Sequence, residues 1–260
     1  VKPDIRKVLG VKPPDSVVQY LNLLVYGEPG AGKTYLCGTA QDSEDTRPLL
    51  FLDVEGGSMT LRRRPDVDVI QIRSMQEIID VSNELFKNPG YYKTLAVDSL
   101  TELQKLDLMT VVKDYKRSSS TPDRIDEDVP DQRSWGKSGV RIGRIVRFLK
   151  DLPINTIMTC LLATEWEKDD KNRDTDTVKL FYPALPGKLR SEIPGYFDVV
   201  GYLKAEAPTP GTIVRDLQVA KTKKVVAKDR TGSLGLLVKE PSVPLMWQTI
   251  NDSNQVENKT

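Results

Sequence analysis

The stretch VYGEPGAGKTYL, Val25 to Leu36, contains the pattern Gly27-x-x-x-x-Gly32-Lys33-Thr34. The apolar run Leu21 to Tyr26 precedes it, and a helical stretch from Lys33 to Ala40 follows. A buried strand feeding a Gly-rich turn that opens a helix is the context a phosphate-binding loop requires. Gly30 and Gly32 let the chain curl so that successive N–H groups converge on phosphate oxygens. The helix N-terminus adds partial positive charge. Lys33 is placed to reach the β- and γ-phosphates, and the Thr34 hydroxyl to ligate Mg²⁺. The expected nucleotide contacts are therefore Gly27, Glu28, Pro29, Gly30, Ala31, Gly32, Lys33, Thr34 and Tyr35, with ATP and Mg²⁺ as cofactors.

Further apolar runs read as buried strands: Pro48 to Asp53, Thr94 to Ser99 and Thr156 to Ala163. Helical spacing appears over Gln76–Phe86, Leu100–Tyr115 and Gly139–Leu152. Strands alternating with helices predict an α/β fold, a mostly parallel central sheet flanked by helices. Later strands are expected over Phe197–Leu203 and Ile213–Ala220, with Lys221–Ala227 continuing or pairing with them, so that the C-terminal strands are antiparallel. Two long polar stretches, 116–138 and 166–181, read as loops. The division expected is an N-terminal segment 1–20, one ATPase domain over 21–250, and a polar, frayed tail over 251–260.

Two acids complete the phosphate site. Asp98 ends an apolar strand, where a carboxylate is costly unless it faces a site. It is the expected holder of the Mg²⁺ water shell, with capping of the next helix as the alternative role. Glu55 lies just past a different strand, in the turn Val54-Glu55-Gly56-Gly57, and is the expected activator of the attacking water. Asp53 competes for that role, and a plain turn acid is the other reading of Glu55.

The segments FLDVEGG, LAVDSL and TCLLATEWEKDD together resemble the core of RecA-type recombinases. PALPGKLRSEIPGYFDVVGYL followed by VAKDRTG is similar to a narrower group, the phage-encoded, single-domain RecA-like ATPases of single-strand annealing and recombination. The resemblance spans about Leu21 to Gly232. It implies a RecA-like P-loop NTPase core, assembly as a homo-oligomer or filament, and single-stranded DNA as partner, with a single-stranded-DNA-binding protein as a second one. It also implies that Lys221 and Lys223 act on the γ-phosphate of a neighbouring subunit, on a late strand. The alternative for them is an edge strand decorated with lysines. The family's sensor position carries Thr164-Glu165 instead of Gln; a carboxylate cannot donate to a phosphate, which leaves Thr164 as its candidate. The two polar stretches fall where the family binds DNA. Lys116, Arg117, Arg124, Arg133 and Lys137 are the expected phosphate contacts of the first, with Trp135 stacking on a base. Arg141 and Arg144 extend that surface onto the next helix. A solvated loop and helix face is the competing reading, because Asp123, Asp126, Glu127, Asp128 and Asp131 nearly cancel the charge.

Composition narrows the chemistry. The chain has no histidine, which excludes His-based metal sites, nucleophile pairs and general bases. Its formal net charge is +1, so any nucleic-acid surface must be local. Cys37 and Cys160 sit among apolar residues and read as core residues of a reducing compartment. No apolar run approaches a membrane span, and the expected location is cytoplasmic, that of the host if phage-encoded. Three other functions stay open. An AAA+ loader or remodeller would prefer Asp-Glu where Asp98-Ser99 stands. A small-molecule kinase would need a lid with clustered arginines and a shaped acceptor pocket; Arg62-Arg63-Arg64 reads equally as such a cluster and as a surface turn. An ATP-gated binding module would not hydrolyse efficiently.

Overall fold

The computed structural model describes residues 9–10, 20–122, 125–169, 171 and 173–257. Strand β1 (Asn22–Gly27) runs into the phosphate loop, and helix α1 (Lys33–Gly38) begins at Lys33. A 3₁₀ turn, Thr39–Asp42, follows, then β2 (Leu49–Asp53), β3 (Asp68–Gln71) and α2 (Met75–Lys87). Next come β4 (Thr94–Asp98), α3 (Leu100–Ser118), α4 (Gln132–Lys150) and β5 (Asn155–Lys168). The chain continues through β6 (Asp174–Pro183), α5 (Leu189–Tyr196), β7 (Val199–Thr209) and β8 (Thr212–Gln218). It closes with β9 (Lys228–Asp229), β10 (Leu237–Lys239) and α6 (Val243–Glu257).

The strands form one sheet in the order β10-β8-β7-β1-β5-β4-β2-β3. The five pairings from β7 through β1, β5, β4 and β2 to β3 are all parallel. Pairings of β8 with β7 and β10, of β6 with β5 and of β9 with β7 are antiparallel. The predicted α/β class, with a mostly parallel sheet and antiparallel C-terminal strands, is what the structure has. The residues of β2 and β4 are buried along their whole length, as expected of strands covered on both faces. On one face Leu24, Tyr26, Leu52 and Val97 pack with Ile78 of α2, Leu103 of α3, Val146 of α4 and Ile193 of α5. On the other, Leu23, Val25, Phe51 and Ala96 pack with Leu36 and Cys37 of α1 and Met246 of α6. The parallel strands place the carboxyl ends of β1, β2 and β4 at one edge, where α/β sheets bind ligands.

Several expected boundaries are corrected. The stretch 116–138 is not one loop. Helix α3 runs on to Ser118, and α4 starts at Gln132, capped by Asp131, whose carboxylate accepts from Ser134 N at 2.7 Å. The short polar Asp131 side chain ends a loop as readily as it extends one, and the pattern alone hid that. The stretch 166–181 is mostly hairpin: β5 and β6 pair out to Lys168 and Asp174, with register shifts around Trp166. Lys221 to Lys224 are exposed and lie outside any strand; only Val225 makes an isolated bridge, to Phe181. The tail expected to fray beyond Ile250 is helical to Glu257, because Val243, Met246 and Ile250 anchor α6 on the sheet.

Candidate nucleotide site

Gly30 (φ +81°) and Gly32 (φ +99°) both hold left-handed backbone, which a side chain would strain. Gly27 is tied down differently: a Cβ there would stand 2.5 Å from the Leu203 carbonyl oxygen of β7. The loop is thus fixed by its own conformation and by the neighbouring strand. Gly32 caps α1 without a side-chain hydrogen bond, so the amides of the first turn have no competitor of that kind. The Lys33 ammonium is buried and donates to Gly27 O at 3.0 Å and Glu28 O at 2.9 Å. Burial lowers its pKa, and the charges of Asp98 and Glu55 partly offset that.

Thr34 Oγ1 donates to Asp98 Oδ2 at 2.6 Å. The other carboxylate oxygen accepts from the Thr159 hydroxyl of β5, the strand between β1 and β4. Thr159 escaped the sequence reading; its one signal is a polar residue inside the apolar run Ile157–Ala163. Capping of α3 falls to Ser99, whose hydroxyl accepts from Glu102 N at 3.4 Å, so Asp98 stays free for the site. Asp53 is engaged elsewhere: Oδ1 accepts from Gly56 N at 2.7 Å and Gly57 N at 3.0 Å, and Oδ2 from Ser58 N at 3.0 Å. These bonds fold the turn that carries Glu55. Val54 N and Glu55 N in turn donate to Asp98 O, at 2.8 and 3.2 Å. Glu55 is exposed on this turn, and a Cβ on Gly57 would come to 3.6 Å from Thr34 Oγ1 and 3.9 Å from Asp98 Oδ2. The structure therefore brings together Lys33, Thr34, Asp98 and the Glu55 turn.

Among the described residues no group of three or more His, Cys, Asp or Glu side chains is placed to hold a metal ion. One carboxylate beside one hydroxyl, with a glycine leaving space next to both, suits Mg²⁺, which keeps waters and takes ligands from phosphates instead of an all-protein cage. The oxygen-only donor set fits that ion and not a thiophilic one. Cys37 and Cys160 are fully buried and unpaired, and burial raises both thiols, Cys160 to about 12.

The expected DNA residues do not form one loop. Arg124 lies outside the described residues. Lys116 and Arg117 end α3, with Lys116 paired to Glu127 at 3.1 Å. Arg133, Lys137, Arg141 and Arg144 recur along α4 at helical spacing, on one stripe. Arg141 is not free: its Nε stands 3.0 Å from Oδ1 of the wholly buried Asp107 on α3. Trp135 is exposed but lies off the stripe, in a groove of about 570 Å³ with Gly136, Gly139, Pro186 and Leu189. At the expected sensor position Glu165 is bound by Lys179 at 2.6 Å and by Arg190, which also covers the Tyr182 ring. These cations hold the Glu165 carboxylate at about 2. NMR titration should find Glu165 ionised down to that region, and Arg190→Ala should return it toward the ordinary carboxylate range. The KDRTG segment sits at the opposite end of the sheet: Asp229 pairs with Val199, and its carboxylate accepts from Thr231 N and Leu234 N at 2.8 and 2.9 Å. It is a turn organiser, remote from the phosphate loop.

Residues 19–231 match the family described as AAA domain. The chain belongs to that family. AAA domains are P-loop ATPases, and the matched residues include the loop Gly27–Thr34, which carries the phosphate-loop pattern. No curated protein matches the chain. Among solved structures, that of the RadB recombinase is similar at 14% identity and a TM-score of 0.43, over 85% of this chain and 89% of that one. No helix of this AAA domain, among the described residues, is long and apolar enough to cross a membrane.

Proposed function

We propose that the protein is a RecA-like, ATP-hydrolysing enzyme that binds single-stranded DNA and serves recombination or strand annealing, as phage-encoded proteins of this type do. One observation supports it most: the turn bearing Glu55 hangs on Asp98 O through two amides, so a second acid from an adjoining strand overlooks the Thr34–Asp98 pair. Thr34 and Asp98 would hold Mg²⁺, which supplies charge neutralisation at the phosphate oxygens. The amides of Gly30 to Tyr35 and the Lys33 ammonium grip the phosphate tail. Glu55 accepts a proton from a water whose oxygen bonds to the terminal phosphorus as the bond to the bridging oxygen breaks, giving ADP and phosphate. Lys221 and Lys223, exposed on a loop of their own, are available to a neighbouring copy in a homo-oligomer or filament. Arg117, Arg133, Lys137 and Arg144 are the exposed cations for the DNA backbone, with a single-stranded-DNA-binding protein as a further partner. The family match favours a second reading, a loader or remodelling ATPase of AAA type.

Hydrolysis of ATP, measured with and without single-stranded DNA over a series of salt concentrations, tests the first reading. Turnover should rise with DNA, and the rise should fade as salt increases, because counterion release drives the contact. Turnover indifferent to DNA at low salt would discard the DNA-dependent reading and leave the loader.

A further inference from the structure

The hairpin β7–β8 delivers one side chain to the nucleotide loop that no pattern in the sequence marks. Arg215 of β8 lies across Gly32: a Cβ there would meet its Nε at 2.4 Å, its Cδ at 3.1 Å and its Cζ at 3.3 Å. The guanidinium faces the ring of Tyr35, the residue after Thr34, at 5.2 Å from the centroid. Arg64 stands 5.8 Å from the same ring and is itself held by Asp42. Arg215 Nε is buried and has no hydrogen-bond partner among the described residues. A buried guanidinium donor without an acceptor gives up hydration for nothing in return, and such a group calls for an anion.

The backbone beneath it is fixed. Arg215 N donates to Glu240 Oε1 at 3.0 Å, and Arg215 O accepts from Glu240 N at 2.8 Å. Glu240 adopts φ 42°, a left-handed conformation rare for a residue with a side chain. Its carboxylate is bonded to the Arg215 main chain, leaving the Arg215 cation to point at the loop.

We propose that Arg215 is a phosphate-binding residue of the nucleotide site, acting in cis on the tail held by the loop it covers. This rests on the reading of that loop as the seat of a nucleoside triphosphate. The orphaned Nε–H and the remaining guanidinium donors supply charge-assisted hydrogen bonds to phosphate oxygens, alongside those of Lys33. Arginine suits the task because its planar fork meets two phosphate oxygens at once.

The test is titration calorimetry of the full chain with MgATP and with MgADP, for wild type, Arg215→Ala, Arg215→Lys and Lys33→Ala, together with thermal midpoints with and without nucleotide. Arg215→Ala should weaken both nucleotides by about tenfold or more, the worth of one charge-assisted contact. Its nucleotide-free midpoint should stay at the wild-type value, while the rise on adding nucleotide shrinks. Arg215→Lys should recover part of the affinity, most at low salt. Wild-type affinity in Arg215→Ala overturns the proposal, and so does a loss that appears only with a lowered nucleotide-free midpoint, which marks a structural brace. If wild type binds neither nucleotide, or Lys33→Ala binds as tightly as wild type, the nucleotide reading itself falls and takes this proposal with it.

Discussion

Glu55→Gln should lower ATP turnover by about two to four orders of magnitude, the range spanned by loss of a positioned general base. Affinity for the nucleotide should stay within a few fold, because the proposed grip lies in the loop amides, Lys33, Thr34 and Arg215 and not in Glu55. Gln keeps the size and hydrogen-bonding length of Glu but cannot take a proton. The scaffold of the turn is also untouched by the change: Asp53 holds it through Gly56, Gly57 and Ser58, and Asp98 O receives the Val54 and Glu55 amides. A drop in rate is then a chemical effect and not a folding one. Single-turnover hydrolysis beside equilibrium binding separates the two. Turnover equal to wild type would return Glu55 to the status of a turn residue and move the search for a base elsewhere.

The second large effect concerns Arg141, one of the cations expected on DNA. Arg141→Leu should destabilise the fold by about 3 kcal/mol, because it strips the partner from a buried carboxylate. Asp107 is wholly buried on α3, its Oδ1 is 3.0 Å from Arg141 Nε, and Ser138 of α4 is buried beside it. Burial raises the Asp107 pKa despite the attraction of Arg141. A carboxylate whose folded pKa is raised contributes stability below the unfolded pKa and loses that contribution as pH rises through the folded one. Removing Arg141 raises the folded pKa further, so the penalty should be largest near neutrality and shrink as pH falls. Urea unfolding at several pH values checks this. A variant as stable as wild type at neutral pH would show that the pair contributes nothing and restore Arg141 to the DNA surface.

The legible parts of the molecule were those where local chemistry and global packing agree. The apolar runs Leu21–Tyr26, Pro48–Asp53 and Thr94–Ser99 gave β1, β2 and β4 to within a residue at each end, because strands buried on both faces carry no competing pattern. The candidate residues Lys33, Thr34, Asp98 and Glu55, which the structure brings together, could be picked out because Lys33 and Thr34 open a helix after a glycine and the two acids lie at or just past strand ends. The charged stretches were misread for one reason. Most side chains of 132–138 and 174–180 are polar and face water, Ser134 and Ser138 being buried exceptions, and solvent exposure looks the same in a loop, an exposed helix start and a projecting hairpin. Arg141 looked like a surface cation since its partner Asp107 lies on another helix, and long-range pairing leaves no local trace. Thr159 and Arg215 were missed because their roles depend on neighbours across the sheet.

The carboxylate of Asp98 joins hydroxyls from two other elements, Thr34 of α1 and Thr159 of β5. Thr159 is the fifth residue of a strand that runs unbroken from Asn155 to Lys168. From Thr159 to the end of that strand is about 30 Å of extended chain. One continuous strand therefore ties the Asp98 carboxylate, through Thr159, to a two-stranded ribbon. The ribbon keeps its register to Glu165 and slips on either side of the exposed Trp166, so the regular pairing that extends from the Asp98 side ends at that indole.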